Sequence, residues 1–85
     1  MQTADIEREI RTFLVNNYLF GRNEELRDDE SLLHSVIDST GVLELVVFLQ
    51  DNFAIVVEDS EVVPDNLESL RTVVALVERK LRSKT

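Results

Sequence analysis

The sequence predicts a small all-α domain of three long helices and one short helix, with a long loop between helices 1 and 2. Three observations carry that expectation. Apolar residues recur at helical spacing in three separate segments. Residues suited to capping and turning lie between those segments. A chain of 85 residues with 44% hydrophobic content can bury one modest core without staples. The expected organisation is a single domain spanning 1–85.

In the first segment Ile6, Ile10, Phe13, Leu14 and Tyr18 fall on one helical stripe with charged residues between them. Thr3 is the expected N-cap, Ile6 the third helical residue, and Gly21 the end or just beyond it. Arg22 to Ile37 then reads as a long connection, polar at first and anchored by Leu32, Leu33, Val36 and Ile37. Loops longer than about 12–15 residues are uncommon in compact domains and often functional. The second helix is expected from about Ser39 to Asn52, burying Val42, Leu45, Val46, Leu49 and Phe53. Thr40, Leu43, Glu44 and Val47 share another side of it, where Leu43 and Val47 read equally as residues at the edge of the core. Ile55-Val56-Val57 reads as extended or turn-like, and Glu58 to Val63 as one short helical turn. Pro64 is expected to stop that turn, with Asp65-Asn66 turning the chain. Ser69 is a good N-cap for a last helix, Leu70 to about Arg82, whose stripe is Leu70, Val73, Val74, Val77 and Leu81. Arg79, Lys80 and Arg82 in its last turns complement the helix dipole.

Composition narrows the function. There is no cysteine, hence no disulfide, no thiolate chemistry and no Cys-ligated metal. The single histidine, His34, argues against a multi-histidine metal site and is expected to be a loop residue without a chemical role. The only glycines are Gly21 and Gly41, so no Gly-rich phosphate loop exists, and Asp28-Asp29-Glu30 lacks EF-hand spacing. No apolar run approaches the ~20 residues a membrane span needs. Met1 to Arg11 has no apolar signal-peptide core, and a cytoplasmic location is expected. The formal net charge is −8, unevenly spread. Asp28 to Glu68 contains no Lys or Arg, and the bases sit toward the two ends of the chain. Such a block disfavours nucleic acid and anionic lipid and favours partners with basic patches. A solvated acidic surface conferring only solubility accounts for the same charges.

The chemistry-bearing stretch is Asp38-Ser39-Thr40-Gly41, where a polar loop becomes the apolar second helix. A helix N-terminus offers unpaired backbone N–H groups and the positive end of the peptide dipole, which suits a covalent anion on Ser39. Ser39 could instead be a simple N-cap, or Asp38 the cap with Ser39 in the first turn. A Ser39 nucleophile would need a base, an oxyanion site and an enclosed pocket, for which so small a bundle has little room. The chain is therefore not expected to be an enzyme.

With these residues in place, the chain resembles the acyl carrier protein family, the phosphopantetheine-binding carriers. Val36-Ile37-Asp38-Ser39-Thr40 resembles the family's attachment motif, Glu44 to Phe53 its second helix, and Leu67-Glu68-Ser69-Leu70 the entry to its fourth. The likeness covers nearly the whole chain, including its length, acidity and helix order. The resemblance implies that a phosphopantetheinyl transferase attaches 4′-phosphopantetheine from coenzyme A to Ser39. The arm's thiol would then carry an acyl or aminoacyl thioester. Asp38 would support the modification by positioning the transferase's metal or the serine hydroxyl. Thr40, Leu43, Glu44, Val47, Asp51, Glu58 and Glu61 would form an apolar patch with an acidic rim. That patch would meet the transferase, an acyl or aminoacyl ligase and downstream acyl-transfer enzymes of lipid or secondary-metabolite synthesis. The carrier would be a monomer, with no metal and no membrane insertion. Ile37, Ile55 and Val57 would be core residues or the lining of a small acyl cavity.

Three positions depart from the family pattern. Thr40 stands where many fatty-acid carriers have leucine, and Gln50 where an acidic residue is common. Gly41 in the first helical turn costs up to about 1 kcal/mol of helix stability, which close approach of a partner or of the arm would explain. These departures suggest a specialised free-standing carrier with a dedicated ligase. A different class of reading is an unmodified acidic adapter that binds a basic partner through Leu43 and Val47, with Ser39 as a cap.

The charge map makes one prediction. Raising salt from 0.01 to 0.15 M shortens the Debye length from about 30 to about 8 Å. The melting temperature should rise across that change, and with millimolar divalent cations, as the acidic block stops repelling itself. A melting temperature indifferent to both would remove the block as a source of instability.

Overall fold

A computed structural model of the protein describes residues 2–18, 32 and 37–83, apart from the side chain of Ser39. Among these residues it is a small all-helical bundle. The elements are α1 (Thr3–Tyr18), α2 (Ser39–Phe53), a 3-10 turn at Asp59–Glu61, α3 (Pro64–Leu67) and α4 (Leu70–Ser83). Gly21, His34, Leu33, Val36 and most of the expected long loop lie outside the described residues.

Helix α4 packs against α1, α2 and α3. Leu70, Val73, Val74, Leu76 and Val77 are buried on it, and they meet Ile6, Ile10, Leu14 and Val15 of α1 in the same core cluster. Leu45, Leu49 and Phe53 extend that cluster from α2, as do Leu32 and Ile37 from the segment before it. The expected stripes are therefore in place, with Phe13, Tyr18, Val42, Val46 and Leu81 only partly buried at their margins. Val15 and Leu76 are additional buried residues, because core lies on more than one side of α1 and α4.

Several local expectations are corrected. Thr3 is the first residue of α1, not its cap. The Gln2 carbonyl accepts the N–H groups of Asp5 (3.0 Å) and Ile6 (3.1 Å), and the Thr3 hydroxyl is drawn away to donate to the Glu78 carboxylate on α4. Pro64 does not merely stop a turn; it opens α3 as that helix's first residue, where its missing N–H costs nothing. The turn before it is the 3-10 segment Asp59–Glu61, and Asp65-Asn66 lies within α3. Ser69 does cap α4: its Oγ accepts from the Thr72 N–H (3.3 Å) and its own N–H donates to Thr72 Oγ1 (3.0 Å).

Ala54 follows α2 in the left-handed region (φ 55°, ψ 44°). That conformation is costly for a residue with a Cβ. It turns the chain so that Ile55 and Val57 return to the core while Val56 stays outside. Gln50 supports the same segment by accepting the Val57 N–H at 2.9 Å. The position expected to thin an acidic rim thus holds the strand-like segment against α2.

Gly41 has a cause inside the molecule. It is buried. A Cβ there would stand 2.9 Å from Ile37 Cβ and 3.3 Å from both Ile37 Cγ2 and Tyr18 Cε1. Alanine normally gains about 1 kcal/mol over glycine in a helix, but forced overpacking costs about 1–3 kcal/mol. Gly41→Ala should therefore lower stability by about 1 kcal/mol, visible in urea unfolding as an earlier midpoint. A later midpoint would mean that Ile37 and Tyr18 yield freely.

Candidate functional site

The candidate site is the start of α2 and the face that follows it. Asp38 is extended (φ −100°, ψ −169°), and its side chain Oδ1 accepts the Gly41 N–H at 2.8 Å. Its carbonyl accepts the Val42 N–H at 3.0 Å. Of the two capping arrangements, the chain adopts the one with Asp38 as cap and Ser39 as first helical residue. Asp38 and Thr40, on either side of Ser39, are exposed. The Ser39 side chain lies outside the described residues.

Thr40, Leu43, Glu44, Val47 and Asp51 are all exposed on α2. Leu43 is 65% and Val47 54% exposed, high values for residues of a mostly apolar helix. Glu44, Val47, Phe48 and Asp51 follow one another at helical spacing, and with Phe13 of α1 and Asn52 they line an open groove. Its floor is aromatic: Phe13 and Phe48 stack at 4.3 Å between ring centroids, 17° from parallel. The sequence assigns Phe13 to the core stripe of the first helix and does not single out Phe48, and nothing in it marks the gap between the helices.

Two acidic side chains of this region are engaged inside the molecule. The Tyr18 hydroxyl donates to Glu44 Oε1. Burial pushes the Tyr18 phenol up to about 12, reinforced by that hydrogen bond and by the negative charges of Glu44 and Asp38. Glu61 Oε1 accepts both Lys80 Nζ and the Glu58 N–H, each at 2.9 Å. These bonds, the Lys80 one foremost, hold the Glu61 carboxyl below the usual carboxylate range. Glu58 is exposed at the entry to the 3-10 turn. Asn66 joins the same region to α4, donating to the Glu61 carbonyl (2.8 Å) and accepting from Arg79 (3.0 Å). Glu61 is thus a bracing residue of the 3-10 turn as well as a member of the expected rim.

Among the described residues no cluster of His, Cys, Asp or Glu is arranged to hold a metal, and no helix is long and apolar enough to cross a membrane. Comparison with known proteins finds no family model and no curated protein that matches the chain.

The Glu61–Lys80 pair sets a pH dependence. A carboxyl lowered by folding contributes stability above its unfolded pKa, near 4.3, and loses it as pH falls through the lower folded value. Glu61→Gln should cost up to about 1 kcal/mol at pH 7, the scale of a partly exposed pair. That penalty should shrink below pH 4 when wild type and variant are unfolded in parallel; a penalty constant from pH 7 to pH 3 would assign the effect to packing.

Proposed function

We propose that the chain is a carrier protein, bearing an acyl or aminoacyl group as a thioester on a 4′-phosphopantetheine arm attached to Ser39. The observation that carries this reading is the capped start of α2. Asp38 takes the Gly41 N–H, which places Ser39 as the first residue of a helix whose next exposed residues are Thr40, Leu43, Glu44 and Val47. The first turn of a helix leaves N–H groups without intrahelical acceptors, and the dipole there favours an anion by about 0.3–1 kcal/mol. The residues on either side of Ser39, Asp38 and Thr40, are exposed, which suits a phosphodiester at this helix start. The absence of cysteine fits as well, since the only thiol would be the arm's.

The arm supplies the thiol, and this chain supplies a rigid end to swing it from and a face for enzymes to grip. Leu43 and Val47 offer apolar contact, and Glu44, Asp51 and Glu58 select partners with basic patches. Those partners are a phosphopantetheinyl transferase, a ligase and acyl-transfer enzymes. In this reading the chain is a cytoplasmic monomer and catalyses nothing itself.

The deciding measurement is intact mass after incubation with coenzyme A, magnesium and a broad-specificity phosphopantetheinyl transferase. Wild type should gain one phosphopantetheine unit, and Ser39→Ala, folded by circular dichroism, none. No gain by wild type, with a control carrier modified in parallel, would favour the acidic adapter.

A further inference from the structure

We propose that Tyr18 is a positioning residue for docking at the start of α2: its hydroxyl holds the Glu44 carboxylate in place for a basic side chain of the enzyme that modifies Ser39. The inference rests on the carrier reading of Ser39.

Glu44 lies five residues beyond Ser39, about 7.5 Å along the helix axis. On an exposed helix a glutamate samples several rotamers, and a partner that grips it must first order it. Here that ordering comes from another helix. The Tyr18 hydroxyl donates to Oε1 of Glu44. Tyr18 is itself fixed, packed on the core with its ring edge-on to Phe13 at 6.1 Å and its Cε1 at the space Gly41 leaves open. A neutral phenol orients the carboxylate without cancelling its charge, and a carboxylate has a second oxygen for an incoming Arg or Lys. Asp51, two turns further along the same stripe, has no hydrogen bond or ion pair among the described residues. Tyr18 therefore distinguishes one acidic residue of the face, the one nearer Ser39.

The same contact explains why the first turn of α2 is built around a glycine. A Cβ at Gly41 would press on the Tyr18 ring and on Ile37. The stripe that places Tyr18 on the core side of α1 also sets its hydroxyl beside α2.

The test is the kinetics of phosphopantetheine transfer to the full chain for wild type, Tyr18→Phe, Glu44→Gln and the double variant. Phenylalanine keeps the ring and removes only the hydroxyl. Tyr18→Phe should raise the carrier KM by about threefold to tenfold with kcat unchanged, the scale of ordering one long side chain. In the Glu44→Gln background it should add nothing. A KM that does not move, or an effect that persists without the Glu44 carboxylate, overturns the proposal. The contact has an independent readout, because Tyr18 is the only tyrosine and there is no tryptophan. Phenolate absorbance, followed with circular dichroism, should titrate near 12 in wild type and lower in Glu44→Gln. Identical titrations with normal modification of wild type would sink the Tyr18 role alone. A shifted titration with no modification of wild type would sink the carrier reading, and the docking role with it, while the contact stood.

Discussion

The bundle depends on the apolar stripe of α4. Leu70, Val73, Leu76 and Val77 are completely buried, and α1, α2 and α3 each pack against this helix. Burying side chains of this size contributes roughly 1.5–3 kcal/mol each. The packing also determines where polar chemistry is tolerated. Side chains that reach α4 from outside the core do so as partners of its polar positions: Thr3 on Glu78, Asn66 on Arg79 and Glu61 on Lys80. Ser69 is a buried polar residue that begins this helix, and its side chain and backbone are both satisfied by Thr72. The helix is thus fixed at its start by a reciprocal cap and toward its C-terminal end, at the consecutive positions Glu78, Arg79 and Lys80, by three long-range polar ties.

The start of α2 is constrained differently. Nothing there is deep in the core except Ile37 and Gly41, yet four separate contacts converge on one turn. Leu32 donates its N–H to the Glu68 carbonyl and accepts that of Ile37, anchoring the incoming chain beside the entry to α4. Asp38 caps the helix, Gly41 lets Ile37 and Tyr18 close over it, and Tyr18 reaches Glu44. A helix end held this way has little freedom to fray, which in the carrier reading proposed for Ser39 would give each partner the same attachment geometry.

The parts legible in the sequence are those that depend on short-range pattern. Three apolar stripes, the Ser69 cap and the grouping of Thr40, Leu43, Glu44 and Val47 on one side of α2 follow from helical spacing and local hydrogen-bonding habit. What escaped depends on partners distant in the chain. Thr3 has the chemistry of a cap, but Glu78, 75 residues on, takes its hydroxyl. Pro64 both ends and begins helices, and only the chain's path decides which. Ala54 in the left-handed region gives no sequence signal, since glycine is the residue expected there. Gly41 was visible as an anomaly, but its cause required Ile37 and Tyr18 to be placed. Gln50 looked like a missing charge and is a hydrogen-bond acceptor for the Val57 backbone.

The acidic block is likewise not one thing. Asp38 is taken up by the backbone of its own helix, Glu44 by a phenol and Glu61 by an ammonium, while Asp51 and Glu58 keep exposed carboxylates. The first three change conformational freedom; the exposed pair mainly changes potential. A field of charge speeds encounter with any basic surface, but discrimination requires charges at fixed positions. The face beside Ser39 combines both, with Asp51 contributing long-range attraction and Glu44 a fixed point near the helix start. Leu43 and Val47 lie between them in sequence and are exposed enough to be covered by a partner. Net charge alone would let this chain associate with many basic proteins. The ordered carboxylate close to the first turn of α2 is what would make one orientation of docking better than the rest.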